Sequence, residues 1–275
     1  MVLTNRQTRR IDLDKTFGPI LRAATETGGN MEFDADSYFG SCPVCGWVGE
    51  FVRNHRAIRE TYNCGGCRAS LREQGQADAL VRHYALPGVT SLATLVTSTS
   101  IARLSVYEPG LSGTLRPYLG RIADYTQSFY YTPEERAAAP VRHEDLQALS
   151  FPDCRFDLVV TSDVLEHVRH PLSAFAEIFR VLKPGGLNLF TVPLQEPLRQ
   201  QTTWRVDTSG PEDVHLLEEQ YHGDGRGGRS LVYANFGRDI VDMLAETGFE
   251  TELVYPRTPS EIANRAITVK AVRPS

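Results

Sequence analysis

Residues 156–192 constrain the fold more than any other stretch of the chain. Phe156–Ser162 (FDLVVTS) is an apolar run suited to a strand buried on both faces. Pro171–Leu182 then sets Leu172, Phe175, Ile178, Phe179 and Leu182 on one side of a helix. Pro184-Gly185-Gly186 stops that helix, and Leu187–Val192 (LNLFTV) is the next strand. Two strands joined through a helix belong to one parallel sheet with the helix packed on its face. The alternation continues on both sides. Arg103–Glu108 and Ser128–Tyr131 read as strands, Phe236–Thr247 as a helix closed by Gly248, and Thr251–Tyr255 and Ala266–Val272 as final strands. The expected class is α/β, with a doubly wound, mostly parallel sheet.

The chain of 275 residues is long enough for one large domain and a small module. A boundary is expected at Pro87-Gly88, giving residues 1–86 as a helical and cysteine-bearing module and 87–275 as the main domain. Within 1–86, Ile11, Leu13, Phe17, Ile20 and Leu21 suggest a weakly amphipathic helix, and Ala69–Tyr84 a second one. The span from about 195 to 234 is long, polar and glycine-rich, which marks it as a functional insertion. No apolar stretch is long enough for a membrane span, and the first residues carry no apolar secretory core, so a cytoplasmic protein is expected.

Four of the five cysteines form two C-x2-C knuckles, Cys42-Pro-Val-Cys45 and Cys64-Gly-Gly-Cys67, eighteen residues apart. Without a secretory leader such a cluster points to a metal before disulfides. Each knuckle turns tightly enough to bring two thiolates to one ion, and four thiolates close a tetrahedral Zn2+ site with no open position. The expected zinc is therefore structural, and Cys154 is a bystander. An iron–sulfur centre or a redox dithiol is the alternative. Basic and acidic residues nearly balance over residues 1–85, despite Arg53, Arg56, Arg59, Arg68 and Arg72. That balance favours a packing or homodimerisation module over a nucleic-acid grip.

The ordered set FDLVV, DVLEHV, RVLKPGG and LNLFTVP, within Phe151–Pro193, resembles the second half of a class I S-adenosylmethionine-dependent methyltransferase. The resemblance extends less sharply over about 100–272. It implies a Rossmann-like sheet with the cofactor over the carboxyl ends of the strands. In the family the first strand ends in an acid followed by a glycine-rich turn, here Glu108-Pro109-Gly110-Leu111-Ser112-Gly113. Glu108 would then face the cofactor's ammonium, while Gly110, Ser112 and Gly113 let the backbone approach its methionine end. The family's later turn glycines are replaced by Ser112 and Thr114. The acid that usually holds the ribose is also missing, and Ser128 and Phe129 stand in its place. Asp145 and the Leu146 N–H match the adenine-reading position, and Ser162 and Asp163 the methionine side. Asp145 as a helix cap and Glu108 as a strand-end charge are the structural alternatives.

Methyl transfer needs the acceptor aligned and, for a hydroxyl, deprotonated. Asp163, Glu166 and His167 fall on one helical face and resemble the cluster with which ubiquinone-biosynthesis O-methyltransferases hold a divalent metal. The insertion offers His215, Glu218, Tyr221 and His222, joined by Trp204, Arg205 and Tyr233. His222, His215 and His167 are the candidate bases, since imidazole titrates near neutral pH. Tyr221, Glu218, Trp204 and Arg205 are candidate acceptor-binding residues. This mixture favours O-methylation of a polar small molecule, such as a sugar or glycosylated natural product. An rRNA or tRNA base methyltransferase and a non-catalytic scaffold are the competing readings.

Overall fold

The computed structural model describes residues 36–194, 197–224 and 226–275. The expected helix within residues 1–30 lies outside the described residues. The first knuckle forms the turn of a hairpin of β1 (Ser37–Ser41) and β2 (Val48–Val52), and a short helical turn at Ile58–Glu60 leads on to the second. Helix α1 (Leu71–Tyr84) opens on a capping box in which Glu73 accepts from the Ser70 N–H at 2.9 Å. It ends where Ala85 turns left-handed.

The central sheet comprises β3 (Ser105–Pro109), β4 (Asp124–Phe129), β5 (Arg142–His143), β6 (Phe156–Ser162), β7 (Leu182–Thr191), β8 (Glu250–Val254) and β9 (Thr268–Val272). Their order across the sheet is β8-β9-β7-β6-β3-β4-β5. The five strands from β3 to β7 run parallel, and β9 and β8 add an antiparallel edge. The chain steps outward from β3 through β4 to β5, then returns to lay β6 on the other side of β3. That reversal opens a crevice at the carboxyl ends of β3 and β6.

Side chains alternate between the two faces of the sheet. Val106, Leu158, Val160, Leu187 and Leu189 face a layer built by α1 and the cysteine module. Tyr107, Val159 and Phe190 face helices α2 (Pro171–Val181) and α3 (Ile240–Thr247). Residues 35–275 form one compact unit. The core therefore runs through the expected boundary near residue 86, because Leu71, Leu80 and both Cys42 and Cys64 pack with the strands.

The parallel alternation appears as expected, with shifted ends. β4 lies earlier than Ser128–Tyr131, and β7 begins at Leu182 instead of Leu187. Between Phe156 and Leu158 the β6–β7 register jumps, and Lys183–Gly186 bulges out with Gly185 at φ 77°. The Pro-Gly-Gly expected to end α2 is thus a bulge inside β7, and the helix stops earlier, at Val181. The insertion forms three short antiparallel pairs, Thr203–Trp204 with Ala234–Asn235, Val206–Asp207 with Val214–His215, and Tyr221–Gly223 with Arg229–Leu231. Among the described residues no helix is long and apolar enough to cross a membrane.

Candidate functional site

The crevice is floored by the turn after β3. Gly110 and Gly113 have φ of 133° and 145°, values that a side chain would strain. The Gly110 N–H donates to the Ser128 carbonyl at 2.8 Å. Its own carbonyl accepts from Gln127 Nε2 at 2.7 Å and Arg116 Nη2 at 2.8 Å. Arg116 also donates to the carbonyl of Leu111. Glu108, at the strand end, is buried and accepts from the Tyr125 hydroxyl at 2.7 Å. Burial raises its pKa, with the Tyr125 contact and Arg116 opposing. A carboxylate so placed would gain most from a cation in the crevice.

The ribose position differs from the expectation. Ser128 is fully buried, and its hydroxyl pairs with the Tyr107 hydroxyl at 2.7 Å. Period-two alternation turns Ser128 inward and leaves its neighbours Gln127 and Phe129 on the opposite face. Gln127 braces Gly110, and the Phe129 ring lies 5.1 Å from Tyr131 with Arg226 over it. Asp145 accepts from the Gln147 N–H at 2.9 Å, a local turn that orders the segment before the buried Leu146. Ser112 is exposed, and its carbonyl receives Arg116.

Beyond β6 the chain turns at Asp163, a non-glycine residue at φ 51°. Its carboxylate is gripped by Arg59 through both Nη atoms, at 2.9 and 2.8 Å, and lies 3.3 Å from Arg72 Nε. Burial alone would raise its pKa, but Arg72 and Arg59 outweigh that and hold it at about 2. Arg59 Nη2 also reaches the Val192 carbonyl at 3.0 Å. Gln76 donates to the Thr161 and Leu189 carbonyls at 2.9 and 3.2 Å and accepts from the Ser162 hydroxyl at 2.5 Å. Glu73 accepts from the Thr114 N–H at 2.9 Å. The residues from 59 to 76 therefore touch the turn after β3, the turn after β6 and the end of β7. Sequence reasoning missed this. The arginines were visible near the knuckles, but nothing in their spacing signals a partner more than a hundred positions away.

The next turn, Leu165–His167, meets the insertion. Glu166 is fully buried, and neither carboxylate oxygen has a hydrogen-bond partner. The nearest groups are His222 Nδ1 at 3.7 Å and His167 Nε2 at 3.8 Å. The two imidazole rings meet edge to face at 5.0 Å. His167 Nδ1 lies 2.8 Å from the Leu231 carbonyl, which can only accept, so that nitrogen carries the proton. The Tyr233 N–H donates to the Glu166 carbonyl at 2.8 Å, latching the insertion to this turn. Attraction to Glu166 raises the pKa of His222 above the ordinary histidine value, against partial burial.

Asp163 does not join Glu166 and His167. Glu166, His167 and His222 come together instead, with potential ligand atoms within 4.8 Å of one another. His215 faces Glu219 at 3.5 Å, apart from this cluster. Tyr221 is exposed on the other side of its strand from His222, with its hydroxyl on Glu219 at 2.6 Å and Arg229 over its ring. Glu218 is exposed and its carbonyl accepts from Arg205. Arg205 Nη1 also reaches Asn235 at 3.3 Å. Trp204 is partly exposed against Phe236. Tyr233 donates to Asp213 at 2.8 Å.

The four knuckle sulfurs converge. Cys42 and Cys67 Sγ are 3.7 Å apart, and Cys45 and Cys64 Sγ 3.5 Å. A tetrahedral Zn2+ with bonds of about 2.3 Å sets its sulfurs about 3.8 Å apart, so the spacing fits. The backbone N–H groups of Trp47 and Gly66 point at Cys45 and Cys64 Sγ. Hydrogen bonding from Cys42 lowers the Cys67 thiol to about 5. The same contact pushes Cys42 up.

Residues 122–190 match a family model described as a methyltransferase domain. A probable S-adenosylmethionine-dependent methyltransferase of Mycolicibacterium smegmatis is 42% identical over 125 residues, 37% of this chain and 48% of that protein. The ubiquinone/menaquinone biosynthesis C-methyltransferase UbiE of Yersinia pestis is 32% identical over 107 residues, 38% of this chain and 43% of that one. The chain thus spans about half the length of these curated relatives. Among solved structures, the glycopeptide N-methyltransferase MtfA complexed with S-adenosyl-L-homocysteine aligns over 72% of this chain and 90% of that chain. Its identity is 20% and its TM-score 0.43.

Proposed function

From a chain that carries a class I S-adenosylmethionine-dependent methyltransferase domain, we propose an enzyme that methylates a hydroxyl of a polar small molecule, sugar-like or a glycosylated metabolite. The observation that carries the reading is the β3–β6 switch point, where a buried Glu108 ends β3 and its carboxylate lies beside the left-handed glycine turn, 3.9 Å from where a Cβ on Gly113 would sit. S-adenosylmethionine supplies an electrophilic methyl group. Glu108 would hold its ammonium, and Gly110 and Gly113 would let the backbone close on its methionine portion. Asp145, Leu146 and Phe129 would line the adenosine end.

His222 serves as the general base. Gln220 Nε2 donates to its Nε2 at 3.3 Å, which sets the Nδ1 proton towards Glu166, and the acceptor hydroxyl would displace that amide and give its proton to Nε2. A buried carboxylate behind a half-exposed imidazole both orients the ring and stabilises the imidazolium formed when an acceptor proton arrives. Tyr221, Trp204, Arg205 and Glu218, on the same insertion, would contact the acceptor's outer parts. His215 serves at the rim and not as the base. Calorimetric titration with S-adenosylhomocysteine tests the cofactor assignment. An acceptor screen with radiolabelled methyl donor, over sugars, glycosylated metabolites and RNA, tests the acceptor. Binding without transfer to any of them would instead favour the scaffold reading.

Two metals enter the proposal. The Cys42, Cys45, Cys64 and Cys67 set holds structural Zn2+. A second reading gives Glu166, His167 and His222 a divalent ion, favoured by the unpartnered Glu166 oxygens and by His167 Nε2 turning a lone pair towards them. Mass spectrometry of the native protein decides. One zinc per chain leaves the His222 base, and a second ion lost in Glu166→Gln replaces it.

A further inference from the structure

The eighteen residues between the knuckles do more than close a metal loop. Their helical turn delivers Arg59 to the carboxyl end of β6, where it grips Asp163 and the Val192 carbonyl just past β7. The turn is itself pinned. The Thr61 hydroxyl accepts from the Asn54 N–H at 2.6 Å and donates to the Asn54 side chain at 2.8 Å. Arg72 Nε holds Glu60 at 2.8 Å. Cys64 N–H donates to the Ala69 carbonyl and Leu71 N–H to the Thr61 carbonyl. The second knuckle, the Arg59 turn and the start of α1 therefore move as one piece. That piece ends on Glu73, which holds Thr114 in the glycine turn.

Asp163 has a left-handed backbone that only surrounding contacts maintain. Its N–H donates to the Thr191 carbonyl at 3.0 Å, Arg59 and Arg72 hold its side chain, and Arg72 keeps Nη1 buried with no partner. We propose that Arg59 is a positioning residue through which metal at the four cysteines and the cofactor in the β3–β6 crevice favour each other's binding. The proposal rests on the methyltransferase reading. Metal fixes both knuckles, the fixed knuckles hold the 58–60 turn, and Arg59 holds the loop on which the cofactor's methionine end would rest. Coupling between two ligands is reciprocal, so the cofactor must tighten metal by the factor that metal tightens the cofactor.

The test uses the full chain and S-adenosylhomocysteine. Metal affinity is measured by chelator competition with and without saturating S-adenosylhomocysteine, and S-adenosylhomocysteine affinity by calorimetry on loaded protein. In the unsubstituted chain S-adenosylhomocysteine should tighten metal about tenfold, within the usual range of coupling. Arg59→Ala should keep the cobalt–thiolate absorption of a cobalt-loaded protein, bind S-adenosylhomocysteine about tenfold more weakly and lose the coupling. Arg59→Lys, which keeps the charge without the two-pronged grip, should fall between. If stripping the metal simply unfolds the chain, both proteins couple equally, and coupling that persists in Arg59→Ala overturns the proposal. So does an unsubstituted chain that binds S-adenosylhomocysteine with no effect on metal, although the methyltransferase reading would stand. A loaded chain that binds no S-adenosylhomocysteine would overturn that reading too.

Discussion

Glu166→Gln removes a charge and keeps the shape, so it isolates what a buried carboxylate does for the imidazole in front of it. His222 has a raised pKa, and only its neutral form accepts a proton. Turnover of an acceptor hydroxyl should therefore rise with pH through an inflection above the ordinary histidine value. In Glu166→Gln that inflection should move down and the plateau should fall. The stability effect has the opposite sign. A raised histidine pKa stabilises the fold fully below about pH 6.5 and is lost as pH rises through the raised value. A pH series of denaturation midpoints should show that loss in the unsubstituted chain and not in Glu166→Gln. His222→Ala should lower kcat by about 10²–10⁴-fold with little change in KM for the cofactor. At Asp163 the linkage reverses. Its depressed pKa contributes stability above about pH 3.8, lost as pH falls towards about 2. Asp163→Asn leaves two guanidinium groups short of a counter-charge and should cost about 2 kcal/mol in urea unfolding, after allowance for partial solvent access.

Elements differ in how far the sequence foretold them, for local reasons. Phe156–Ser162 could be read to the residue because a strand covered on both faces is written as one apolar run. Helix α2 was nearly as clear, since Phe175 and Ile178 fall on one face. The start of β7 was obscured by Pro184-Gly185-Gly186, a helix stop that here continues the ladder as a bulge. The side chain of Ser128 was misjudged because strand register decides its face, and β4 begins earlier than its composition suggests. Gly185→Ala places a side chain on a left-handed backbone, and should cost about 1–2 kcal/mol in chemical denaturation. Phe175→Ala should cost about 3–5 kcal/mol by the same measurement, since the ring is fully buried near Phe190 and Phe236.

Over the whole molecule, the sheet order follows from strand–helix alternation, whereas the role of the cysteine module does not. Read alone, the knuckles announce a metal and suggest a separate body. Their burial against Leu158, Val160 and Leu187 makes them part of the wall of the main core. Removing the metal with a strong chelator should therefore lower the melting temperature of the entire unit in a single transition. Two separated transitions in calorimetry would show that the module melts alone.

The two ends of the Arg59–Asp163 clamp lie 104 residues apart in the chain. Ribosomes add roughly 5–20 residues per second, so the aspartate follows the arginine by roughly 5–20 s. All four cysteines have also been made well before Asp163 emerges. Metal can thus be captured during synthesis, and the late-arriving crevice would close upon a half that is already finished.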